Sequence, residues 1–251
     1  MESPIQAVSN WSYLRKLIGR IAVACMVLVA VLYAFVFALE RNRRQIVHKL
    51  SIDVQRLRVS QTTESEIRRL AQKYGGEYAG PKNGANSYQP ANYVVSVWNP
   101  GFYIGDLKRA FPGRRLWGAV AYLPVENGLL TGVHFGIGVQ RADGLALDAS
   151  VVMTGSKPFA APEGLSYFVH QAHVTGPPTE SLSVELSPAA TPEERGKGFD
   201  FNLSCLTGFR ECRHVCEVMP TAWKDLPLER RIQYGDGREQ MTDSECRERM
   251  R

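Results

Sequence analysis

Residues 21–39, IAVACMVLVAVLYAFVFAL, place 19 side chains in a row without a charge. At about 1.5 Å per residue a helix of this length extends ~28 Å, close to the hydrocarbon thickness of a bilayer. The run predicts a transmembrane helix, placed with its entry turn at 17–39. A cleaved signal peptide fits less well: its apolar region spans ~7–15 residues, and Leu39-Glu40-Arg41-Asn42-Arg43-Arg44 offers no small-x-small cleavage site. In the polar N-terminal tail, 1–16, Trp11 and Tyr13 suit the headgroup level.

Charge gives two opposed readings of orientation. Arg15, Lys16 and Arg20 precede the span, whereas Arg41, Arg43, Arg44, Lys49, Arg56 and Arg58 follow it, and a plain count favours a cytoplasmic C-terminal side. That count is weakest where a long domain follows the span, and a short, positive, acid-poor N-terminus marks an N-inside signal anchor. The expectation adopted is an extracytoplasmic C-terminal domain. Lys and Arg number 30 against 25 Asp and Glu, a net charge of +5. Because the excess clusters beside the span, Arg41, Arg43, Arg44 and Lys49 read as membrane-surface residues facing anionic lipid. With no nucleic-acid-binding motif and no basic patch far from the span, nucleic acid is not expected as a partner.

A juxtamembrane helical spacer follows at 40–76. Val47, Leu50, Val54 and Leu57 recur at three, four and three residues, an a/d stripe. Its first reading is a helix laid on the membrane or on its own domain; its second is a homodimer seam through those four side chains. Thr63 and Glu66 form a capping box that opens a short helix, with Ile67 and Leu70 on one face and Gly75-Gly76 as its stop. Residues 77–90, rich in Gly, Asn and Pro, read as a linker.

From there the apolar period changes to two. Strands are predicted at 93–98, 116–123, 167–174, 181–187 and 199–206. The clearest signal lies between them. Leu129, Thr131, Val133, Phe135, Ile137 and Val139 alternate with small or polar residues; Arg141-Ala142-Asp143-Gly144 turns the chain, and Leu145, Leu147, Ala149, Val151 and Met153 resume the alternation as a hairpin. Seven short strands between Gly/Pro turns predict a mainly β antiparallel sandwich, or a barrel-like domain, over 91–206. Residues 207–251 read as an irregular, partly helical tail packed on it, with a short helix at 220–226 and a final one capped by Asp243.

Cys205, Cys212, Cys216 and Cys246 are candidate disulfide partners, and their even number beside a β-rich, exported domain suits an oxidising compartment. Proximity favours Cys205 with Cys212 and Cys216 with Cys246. Zinc is the rival, since Cys212 and Cys216 bracket His214 at knuckle spacing, but a second knuckle is missing and no metal site is assigned. Cys25, inside the span, reads as a small apolar side chain. His170 and His173, three apart on a strand, fall on opposite faces and cannot share an ion. His134 shares a face with Gly132, Gly136 and Gly138, where close approach of a ligand competes with simple relief of crowding.

The chain has no nucleophile elbow, Walker loop, dinucleotide fingerprint or H-E-x-x-H, so no catalytic residue and no cofactor is assigned. Three functions stay open. The first is a binding or scaffold module displayed outside the cytoplasmic membrane to a protein or glycan partner. The second is a membrane-tethered hydrolase or carbohydrate-active domain, and the third a cytoplasm-facing zinc or signalling module.

Overall fold

A computed structural model describes residues 4–80, 82–83, 88–89, 91–99, 116–140, 146–155, 165–172, 179–207, 212–226 and 246. The chain divides into two compact units, Met1–Asn42 and Arg43–Arg251. The first is the bulk of a single helix, α1, Pro4–Gln55. Nearly all its large side chains from Trp11 to Phe37 are exposed, Met26 at 64% and Phe35 at 61%. An 18-residue window reaches a mean hydropathy of 2.8, and by length and composition the helix is able to cross a membrane.

The second unit starts with the last turns of α1. Val47, Leu50 and Val54 have no exposed surface, and Leu57 just beyond the helix is also buried. These four side chains therefore lie in the hydrophobic core of their own chain. Between α1 and α2, Glu64–Tyr74, the loop pairs with Leu129-Leu130, Ser60 N–H donating to the Leu130 carbonyl at 2.8 Å and Leu130 N–H to the Thr62 carbonyl at 3.0 Å. The Glu66 carboxylate accepts the Thr63 N–H at 2.8 Å, one half of the capping box, and Gly75 ends the helix in the left-handed region at φ 70°. Asp53 ties α1 to α2 by accepting from Lys73 Nζ and Tyr74 Oη, both at 2.7 Å.

Among the described residues ten strands follow: β1 Glu77–Ala79, β2 Lys82–Asn83, β3 Tyr88–Gln89, β4 Ala91–Trp98, β5 Leu116–Glu126, β6 Leu129–Leu130, β7 Gly132–Gln140, β8 Ala146–Thr154, β9 Tyr167–Ala172 and β10 Thr179–Leu186. β2 and β3 form a separate ribbon inside the expected linker. The rest make one open sheet in the order β1-β4-β5-β7-β8-β10-β9, with β6 hydrogen-bonded to β5. Each of these pairings is antiparallel except β8 with β10. The chain leaves β8, runs first to the edge as β9, and returns through β10 into the gap, so β10 lies parallel to β8 and antiparallel to β9. Asn127-Gly128, both at positive φ, makes the turn between β5 and β6.

Alternation sorts the side chains onto two faces. One row across the apolar face runs Val95, Ala121, Phe135, Val151, Val184 and Val169, all buried. Among the described residues that face is covered by helices and an irregular segment rather than by a second sheet. The last turns of α1 contribute Val47, Leu50 and Val54 to this core, α2 contributes Ile67 and Ala71, and the chain after β10 supplies the remaining cover.

That later cover begins with α3, Pro192–Gly198, capped by Thr191 and Glu194, a signal present in the sequence as T-P-E-E. It continues through α4 Ser204–Thr207, α5 Val215–Val218 and α6 Pro220–Asp225. The strand expected at 199–206 is not one. Phe199 caps α3, Phe201 and Leu203 N–H groups bond the carbonyls two residues back, and Asn202 N–H donates to the Val218 carbonyl at 2.8 Å, so no ladder to a neighbouring strand forms. The alternating apolar residues still point inward: the Phe135 ring meets Phe199 at 5.9 Å and Phe201 at 5.4 Å. Arg195 is buried with its guanidinium donating to the carbonyls of Leu57 at 2.8 Å, Pro188 at 3.0 Å and Ala190 at 3.1 Å, which joins the end of α1 to α3. Burial, and then the charge of Arg58, lowers its pKa from the ordinary arginine value. The expected turn at 141–144, the second histidine of the His170/His173 pair and the helix after Asp243 lie outside the described residues.

Candidate functional site

The opposite face of the sheet carries the chemistry-bearing residues. Register aligns them in cross-strand rows: Tyr122, His134, Val152, Glu185 and Phe168; then Val120, Gly136, Ser150, Ser183 and His170; then Trp98, Gly118, Gly138, Asp148 and Ser181. The β8-β10-β9 part is a buried polar layer. Ser150 Oγ donates to Ser183 Oγ at 3.1 Å, and His170 Nε2 lies 3.0 Å from Glu185 Oε1 without hydrogen-bond alignment. Ser183 and His170 are register partners, yet no hydrogen bond joins them among the described residues.

The β5-β7-β8 part is open. A Cβ built on Gly118 would collide with Trp98 Cε3 and Cζ3, so the six-membered ring of Trp98 occupies the place of a Gly118 side chain. One strand over, a Cβ on Gly138 meets no atom of the described residues within 4 Å. Asp148, the partner of Gly138 on β8, is exposed, as is His134, whose Nε2 would lie 3.8 Å from a Cβ on Gly136. The Tyr122 and His134 rings are 5.7 Å apart and tilted by 33°. Flanking protein pushes the Asp148 carboxyl above its ordinary pKa, a rise reduced by His134; it pulls the His134 imidazole below its ordinary value, against the charge of Asp148. Both side chains keep open surface, so this is local desolvation rather than complete burial. Sequence reading singled out His134 and its glycines but not Trp98 or Asp148, whose only signal was a place in the polar alternation of their strands.

Cys205 is bonded to Cys212, with Cα atoms 4.9 Å apart, and Cys216 to Cys246, with Cα atoms 6.2 Å apart. All four sulfurs are thereby taken up, and none is left as a thiolate ligand. His214, between the two bridges, has Nδ1 3.0 Å from Glu180 Oε1, while Glu180 Oε2 accepts the Val215 N–H at 3.0 Å. Among the described residues no group of three or more His, Cys, Asp or Glu is placed to hold a metal. Cys25 is free and exposed on α1. Arg41, Arg43 and Lys49 are exposed along the same helix and Arg44 is half-buried.

No protein-family model, no curated protein and no solved structure matches this chain.

Proposed function

We propose that the chain is a single-pass membrane protein that holds a disulfide-bonded, β-rich binding or scaffold domain outside the cytoplasmic membrane. The observation that carries this reading is the union in one chain of an exposed apolar helical span and a domain with two disulfides. Apolar surface on that scale is costly in water and stable in lipid, and disulfides persist where the compartment is oxidising. Arg41, Arg43, Arg44 and Lys49 then meet anionic headgroups, and the long domain behind them weakens the charge count that favours the opposite orientation.

The test is a compartment reporter fused after Arg251 in the full chain, paired with thiol alkylation before and after reduction. The expected result is an extracytoplasmic signal, with Cys205, Cys212, Cys216 and Cys246 alkylated only after reduction. A cytoplasmic signal with four reactive thiols overturns the reading in favour of the cytoplasm-facing alternative.

A further inference from the structure

We propose that Asn202 is an acceptor for asparagine-linked glycosylation on the extracytoplasmic side of the membrane; this rests on the orientation proposed for the domain. The first support lies in the chain itself. Asn202-Leu203-Ser204 is an Asn-x-Ser acceptor tripeptide without proline at its centre. Asp200, two residues earlier, extends it to Asp-x-Asn-x-Ser and adds a carboxylate that a cationic groove of a transferase can hold. Asn10-Trp11-Ser12 is the other such tripeptide in the sequence; it precedes the span and has Val8 in the place of the acid. Each orientation of the span therefore presents a different acceptor to the extracytoplasmic side.

The second support is what the fold does with this segment. Phe199, Phe201 and Leu203 pack into or against the core, whereas Asp200 and Ser204 are exposed and Asn202 between them is half-buried. Ser204 donates to Asn202 Oδ1 both from its N–H, at 3.2 Å, and from its hydroxyl. A backbone N–H can only donate, so the atom it meets is the carbonyl oxygen and Nδ2 is turned away. Asn202 Nδ2 has no hydrogen-bond partner among the described residues. A glycan on that nitrogen leaves both bonds to Oδ1 in place, so the product is compatible with the fold. In the folded chain the Asn202 N–H donates to the Val218 carbonyl at 2.8 Å, the Asp200 carboxylate accepts from Thr221 Oγ1 at 2.6 Å, and the Cys205–Cys212 bridge starts directly after Ser204. Transfer thus acts on the segment before it docks.

The donor is a polyprenyl-diphosphate-linked oligosaccharide. Asn202 Nδ2 attacks its anomeric carbon: the bond from nitrogen to that carbon forms, the bond from that carbon to the diphosphate oxygen breaks, polyprenyl diphosphate leaves, and Nδ2 gives one proton to a base of the transferase. Nothing is oxidised or reduced. The attached glycan is bulky and solubilising, and it stands on the helical cover of the apolar face beside the first disulfide.

The full chain is isolated from the membranes in which it is naturally made, and the peptides that contain Asn202 and Asn10 are weighed and fragmented by mass spectrometry. A saccharide adduct is expected on Asn202 and none on Asn10. The adduct should be lost in Asn202→Gln and Ser204→Ala and kept in Ser204→Thr, with the bridges of each variant followed by thiol alkylation. An adduct that persists in Ser204→Ala overturns the acceptor tripeptide. The C-terminal reporter separates the two readings. An extracytoplasmic signal with a bare Asn202 overturns the site and leaves the display reading standing, whereas a saccharide on Asn10 with a bare Asn202 overturns both.

Discussion

The two faces of the sheet are built from the same strands, residue by residue in alternation, and they differ in what a neighbour does for each side chain. On the apolar face a position such as Phe135 is enclosed by rings brought from 64 and 66 residues further along the chain, Phe199 and Phe201. On the polar face adjacent positions have opposite fates: Gly118 is roofed by Trp98, and Gly138 beside it is bare. Alternation assigns a side chain to a face. What covers the face decides whether that side chain carries stability or stays available to a ligand.

The largest expected break in this contrast is Phe135→Ala, which removes a fully buried ring and leaves a cavity between β7 and the 199–203 segment. A loss of about 4 kcal/mol in urea unfolding is expected. Next is the double substitution Cys216→Ala with Cys246→Ala, which frees a bridge spanning a separation of 30 residues in the cover over the apolar face. Chain entropy alone sets its cost at about 3.5 kcal/mol, against about 2.5 kcal/mol for Cys205→Ala with Cys212→Ala, whose separation is 7. Thermal melts of the two variants should rank in that order.

A sharper comparison lies within the polar face. Gly118→Ala drives a methyl into the Trp98 ring and should cost about 2 kcal/mol, whereas Gly138→Ala should be neutral or stabilising by about 0.5 kcal/mol. Equal effects at the two glycines would mean that Trp98 does not separate them. The smallest effect is expected from Asp148→Asn. A carboxyl whose pKa is raised on folding is penalised once it ionises, so the penalty is absent below its ordinary pKa near 3.8 and fully present above the raised value. Asp148→Asn should therefore be slightly more stable than the parent at pH 7, with the difference vanishing as pH falls below 3.8. A gap that grows on acidification would reverse the assigned sign.

Much of the architecture was legible because local patterns carry it. The capping box at Thr63, the stop at Gly75 and the alternation from Val133 to Met153 are each complete within a few residues. The stripe Val47, Leu50, Val54 and Leu57 was legible as a stripe but not as to its partner, since a helix face shows the same periodicity against a sheet, a membrane or a second helix. Residues 199–206 misled for a related reason: alternation records which side chains point inward, and a locally bonded segment lying on a sheet satisfies it as well as a strand does. The candidate site was least legible. Trp98, Gly118, Gly138 and Asp148 come from four different strands and are neighbours only through register.

By itself the amino-acid order determined the apolar helix, the period-two segments and the face on which each of their side chains falls, because those properties depend on neighbours in the chain. Only the tertiary structure decided that β10 enters beside β8 and, among the described residues, that helices cover the apolar face and that the space above Gly118 is filled while that above Gly138 is open. These are choices between distant segments, and they are settled by what packs where rather than by any local preference.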